Sequence, residues 1–219
     1  MVRLIYLDML GYDASFGEIQ AVTMAASTNP VLKRVGYLAA SVLLGPNHDL
    51  ALMLTNTMQR DLKSDNYVVV CAALDACCKL MSRDTAPALL PNIEALLPHP
   101  IDPVRRKACL AVQRAVVLAP DRLPELSARI RQALLDRDPA VMAAALNALD
   151  DAARLDPASL RSQVGPLAHI LGQVLQGRLP KSYEYHKAPA PFIQLRVSMH
   201  DEREAQGCSG QGCSSQQGS

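Results

Sequence analysis

The sequence predicts an all-α fold, a solenoid of stacked helix hairpins, on three observations: composition, an internal repeat and a recurring helix-start signal. Of the 219 residues, 49% are hydrophobic but only 4% aromatic, with no Trp and two Phe, a balance that favours Ala- and Leu-rich helices over a β-sandwich. Four segments align with one another: Val31, Val35 and Ala39 correspond to Val68, Ala72 and Ala76, to Val104, Ala108 and Val112, and to Val141, Ala145 and Leu149, at offsets of 37, 36 and 37. A period of this length marks a solenoid of helix pairs, because one hairpin cannot hide both its apolar faces and must stack on its neighbours.

The start of each segment carries a capping side chain followed by a residue suited to the first helical turn. Asn29-Pro30, Asp102-Pro103 and Asp138-Pro139 have this form, and Asp65 is expected to take the same place without the proline. Second helices are predicted over residues 48–62, 85–97, 123–135 and 159–175, separated by Pro and Gly punctuation. An incomplete hairpin over residues 2–10 and 16–27, with Gly11-Tyr-Asp13 as its turn, precedes the first full repeat. The stretch 179–191 holds three prolines, and Pro189 and Pro191 exclude a continuous helix through it. The pattern is expected to fade after Gln194. Residues 205–219 consist of Ala, Gln, Gly, Cys and Ser, which cannot bury a core, so a Gly/Ser/Gln-rich tail over 197–219 is expected to be disordered beside a repeat domain over 1–196.

Several function classes are disfavoured by the same residues. Lys+Arg 22 against Asp+Glu 21 gives a formal charge of +1, too little for bulk attraction to nucleic acid. No run reaches the roughly 18 to 20 apolar residues of a membrane span, since Asp75 interrupts residues 68–81 and Asn147, Asp150 and Asp151 interrupt the run from Val141. Asp8 cuts the N-terminal apolar run short of a signal peptide, so a cytoplasmic location is expected. Cys71, Cys77, Cys78 and Cys109 lack metal-site spacing and read as reduced core thiols, and Cys208 and Cys213 as unstructured ones. The five His are scattered, no nucleophile-base set is visible, and Asp150-Asp151 reads as a solvated helix face. The expectation is a non-enzymatic protein with no metal or cofactor.

Longer motifs narrow this further. Met9-Leu-Gly-Tyr-Asp-Ala-Ser-Phe-Gly17, Lys33-Arg-Val-Gly-Tyr-Leu-Ala39, Asn56-Thr-Met-Gln-Arg-Asp-Leu62 and Val104-Arg-Arg-Lys-Ala108 resemble the trunk of the large adaptins, subunits of heterotetrameric vesicle-coat adaptors. Leu179-Pro-Lys-Ser-Tyr-Glu-Tyr-His-Lys-Ala-Pro-Ala-Pro-Phe-Ile-Gln194 is most similar to the epsilon type, that of the fourth adaptor complex. The resemblance covers about residues 1–196. It implies a right-handed α-solenoid of HEAT/armadillo-like hairpins with small, medium and beta-type large adaptor subunits as partners. It also implies a small GTPase and anionic lipid engaged through the complex, and work at the trans-Golgi network. Family members have an N-terminal segment ahead of the position of Met1 and continue past the Pro-Phe-Ile-Gln motif, so a truncated form is expected.

Among individual side chains, Lys33-Arg34 and Arg105-Arg106-Lys107 stand out, placed just after the starts of two inner helices. One expectation is that they pair with Asp residues of neighbouring repeats. The other is a positive stripe for anionic headgroups or an acidic partner, each cation contributing about 1 kcal/mol near a membrane. With 21 basic and 18 acidic residues outside the tail, net charge does not choose between them.

Overall fold

The computed structural model describes residues 1–156 and 164–198. The expected disorder of 205–219, Cys208 and Cys213, and the predicted helix start at Ser159 lie outside them. The chain divides into two compact units, Met1–Ala119 and Pro120 onward.

Seven α-helices build the first unit: α1 (Val2–Met9), α2 (Glu18–Ala25), α3 (Pro30–Leu43), α4 (Asp49–Asp61), α5 (Tyr67–Leu80), α6 (Ala86–Ala95) and α7 (Asp102–Leu118). They form two layers. Helices α1, α3, α5 and α7 contact one another in succession, as do α2, α4 and α6. Between layers the tightest packing joins α2 to α3, α4 to α5 and α6 to α7, so each second helix lies closer to the first helix of the following repeat than to that of its own.

Short capped turns join two of these pairs. The Val31 and Val68 amides donate to the side chains of Asn29 and Asn66, at 2.9 and 3.0 Å. The amides of Asn29 and Asn66 themselves donate to Ser27 and Ser64, both at 3.2 Å. These two side-chain turns fold the chain back within four or five residues, which leaves neighbouring helices side by side. The cap at α5 is therefore Asn66, not Asp65: a helix start requires the side chain two residues ahead of the bonded amide. At α7 the expected cap also differs. Asp102 lies inside the first turn and binds Arg105, and Ile101 takes the cap position, its amide bonded to His99 Nδ1 at 3.2 Å.

Most of the core is aliphatic. Val70, Ala73, Leu74 and Cys77 of α5 and Val104, Ala108, Ala111 and Val112 of α7 are fully buried at helical spacing. Small residues occupy one repeat position, Gly36, Ala73 and Cys109. At Gly36 the crossing with α2 is too close for any side chain: a Cβ there would lie 2.2 Å from the Ala25 amide nitrogen and 2.5 Å from the Met24 carbonyl carbon.

In the second unit, α8 (Leu123–Leu134) packs on α9 (Pro139–Leu155) and on α10 (Val164–Leu175). Asp138 caps α9 through the Ala140 amide at 2.7 Å, as its Asp-Pro signal predicts. A two-stranded antiparallel hairpin, β1 (Glu184–Tyr185) and β2 (Ala188–Pro189), follows, and residues 191–198 are again helical. The apolar pattern does not fade at Gln194, because Ile193 and Val197, one turn apart, are both buried.

Two glycines give a test. Gly36→Ala must displace backbone, and we expect a loss of about 3 kcal/mol in urea unfolding. Gly17→Ala would meet only the flexible end of Leu4, at 2.5 Å, and is expected to cost about 1 kcal/mol or less. Equal losses would mean that the α2–α3 approach is not what excludes a side chain at Gly36.

Candidate partner-binding surface

The five basic residues singled out from the sequence do not lie on one surface. Lys33 is buried: its Nζ lies 2.6 Å from Asp61 Oδ2 and donates to the Ala25 carbonyl at 2.9 Å. The Tyr37 hydroxyl donates to the same carboxylate oxygen at 2.6 Å, and burial, reinforced by this bond, pushes its phenol far above the ordinary range. Arg105 is buried as well, its guanidinium donating to the His99 and Pro100 carbonyls at 2.9 and 3.2 Å and to Asp102 at 2.6 Å. Lys107, half-buried, pairs with Asp75 of the preceding repeat. Arg34 and Arg106 remain exposed.

The stripe is thus corrected at Lys33 and Arg105. Each has a carboxylate and at least one carbonyl within reach inside the fold, and moving either to a membrane would strand its partners. Asp150 is corrected likewise. It is buried, not solvated, with Arg154 at 3.0 Å and Arg196 at 3.6 Å neutralising it. The cysteines follow expectation in being free thiols, Cys77 and Cys109 buried and Cys71 and Cys78 half-buried. Burial raises the Cys71 and Cys77 thiols and pushes Cys78 up to about 11, so none of these three is an activated nucleophile at neutral pH.

What the sequence reading missed is apolar. Fifteen of the 22 large apolar side chains exposed among the described residues fall within residues 2–67, and none falls within 68–116. Val2, Tyr6 and Met9 form one exposed stripe of α1 at helical spacing. Phe16 lies just ahead of α2 and Ile19 in its first turn, and Val31, Leu38 and Val42 form a stripe of α3 with Arg34 among them. Leu52 and Met53 of α4 are also exposed. The signal was present in the sequence, since α1 and α3 have more apolar positions than one buried face can use. It was absorbed into the core pattern. Such a concentration is the mark of an interaction surface, as scattered apolar residues are not.

Stacked helix pairs, a polar network turned inward and apolar side chains exposed on α1 to α4 define a helical-repeat solenoid. The family model described as adaptin N terminal region matches residues 1–197, and the chain belongs to this family. It is 47% identical over 197 residues to the AP-4 complex subunit epsilon of Arabidopsis thaliana, covering 90% of this chain and 21% of that protein. To the AP-4 complex subunit epsilon-1 of Homo sapiens it is 43% identical over 197 residues, covering 90% of this chain and 17% of the relative. The chain therefore spans about a fifth of the length of these relatives. A homology model of the full-length AP-3 complex in an intermediate open conformation shares the fold, with a TM-score of 0.74 and 23% identity over 94% of this chain and 34% of that one.

The Lys33–Asp61 pair yields a direct test. Lys33→Met alone leaves the buried Asp61 carboxylate with only the exposed Arg60, 3.7 Å away, and we expect a loss of about 3 kcal/mol in chemical denaturation. The double replacement Lys33→Met with Asp61→Leu removes both charges and is expected to recover most of it. A double variant as unstable as the single would show that the charges are not coupled.

Proposed function

We propose that this chain is a non-enzymatic part of the large subunit of a heterotetrameric vesicle-coat adaptor. It scaffolds small, medium and beta-type large subunits for cargo selection and vesicle-mediated protein transport. The observation that carries this is the similarity to epsilon subunits along the whole described repeat array, and the exposed apolar surface of α1 to α4 supports it. The mechanism is surface complementarity: the repeats are already folded when a partner arrives, so little ordering entropy opposes binding. We place the assembly on the cytoplasmic face of trans-Golgi network membranes, with recruitment through partner subunits and a small GTPase. Among the described residues no helix is long and apolar enough to cross a membrane. Arg34 and Arg106 are the fully exposed members of the basic set and supply charge for an anionic headgroup or an acidic partner surface.

Co-expression with an adaptin small subunit and a beta-type large subunit, followed by size-exclusion chromatography with mass detection, tests the scaffold role. A stoichiometric complex is expected, and Tyr6→Asp with Phe16→Asp should abolish it without unfolding the chain, because both side chains are exposed. A chain that elutes alone beside both partners would argue against the reading. Arg34→Glu with Arg106→Glu should weaken binding to the partner subunits or to anionic vesicles by about tenfold. Unchanged affinity for both would remove these two residues from function.

A further inference from the structure

The β1–β2 hairpin of the second unit holds its tip in a backbone conformation that its residues disfavour. Tyr185 pairs with Ala188 and Glu184 with Pro189, which leaves His186 and Lys187 as a two-residue turn. Both have positive φ, 48° and 65°. A two-residue turn with positive φ at both central positions is the place for Asn-Gly, because a Cβ is costly in the left-handed region. Here two large side chains occupy it. Within the described structure they gain little from doing so: Lys187 is exposed, and the His186 ring meets only its neighbour Tyr185, edge-on with centroids 4.3 Å apart.

The base of the hairpin, in contrast, is firmly held. Tyr183 donates from its hydroxyl to Asp138 at 3.0 Å, the Ala190 amide donates to the Tyr183 carbonyl at 3.0 Å, and the Gln194 side chain donates to the Pro189 carbonyl at 2.7 Å. A fixed base thus carries a tip whose side chains are exposed. Exposed within residues 178–187 are Arg178, Lys181 and Lys187, against Glu184 alone of opposite sign, together with the ring of Tyr185.

A turn of two residues is convex and encloses no pocket, so it does not suit a small molecule. Convex shape, cations on long flexible stems and an exposed Tyr suit a planar anionic surface, where the ring lies at headgroup level and the amines reach the phosphates. We propose that the 184–189 hairpin docks on an anionic lipid surface, with Tyr185 in the headgroup layer and Lys181 and Lys187 on the lipid phosphates. The tip's unfavourable conformation then has a physical reason, since Asn-Gly would relieve it but would remove the contacts.

Sedimentation of the full 219-residue chain with phosphatidylcholine vesicles, with and without phosphatidylserine, tests this. The parent is expected to prefer the anionic vesicles. Lys181→Glu with Lys187→Glu should weaken partitioning by at least about tenfold. His186→Asn with Lys187→Gly should weaken it by roughly fivefold while leaving the Tm unchanged or raised, a combination that a purely structural turn would not give. Equal partitioning of the parent to neutral and anionic vesicles, or parent-like binding by both variants, would overturn the proposal. So would retention on immobilised polyglutamate without vesicle binding, which would assign the tip to an acidic polypeptide. Vesicle binding by the lone chain is read without partner subunits, so its absence bears on the hairpin and not on subunit docking.

Discussion

At the crossing of α2 and α3, close backbone approach and a buried charge pair meet within little more than one helical turn. Gly36 lets the helices touch at distances no side chain permits, and Lys33, one turn earlier, reaches from α3 to the last carbonyl of α2, that of Ala25, and to Asp61 at the end of α4. A cation is well placed at two helix C-termini, where unsatisfied carbonyls concentrate negative charge, and it offsets the otherwise unfavourable Asp61 there. Three helices from both layers are thereby fixed against one another at the beginning of the array. Each later helix packs on neighbours already positioned, so the geometry of this first contact is passed along the unit.

Much of the fold was legible because helix starts and apolar spacing are local properties. Asn29 and Asp138 announce their helices by side-chain chemistry alone, and Val104, Ala108 and Val112 face the core as their spacing requires. The basic cluster was not legible in the same way. Lys33 and Arg106 occupy corresponding repeat positions, yet one is buried and the other exposed. The difference lies in the second helices: Asp61 stands where the next repeats have Pro98 and Leu134. A buried lysine needs a partner about 28 residues away in sequence, and periodicity carries no information about that.

Asp150 makes the same point from the acidic side. Read as part of an Asp-Asp pair on a solvated face, it is enclosed because Arg154, one turn on, and Arg196, from the helix after the hairpin, supply its counter-charge. The adaptin motifs mix both kinds of residue. Gly36, Tyr37 and Asp61, which carry the family resemblance, maintain the framework, while the same motifs include the exposed apolar side chains of Met9, Phe16 and Leu38.

The exposed apolar band on α1 to α4 ties the chain's persistence to its company. Any protein that covers this band binds the folded form and not the unfolded one, so by mass action folding stability rises with the free concentration of that partner, by about 2.7 kcal/mol when it exceeds its dissociation constant a hundredfold. In shortage the same side chains stay wet and offer a handle to chaperones and proteases. On the proposed scaffold role, abundance would then depend on partner subunits as well as on the chain itself.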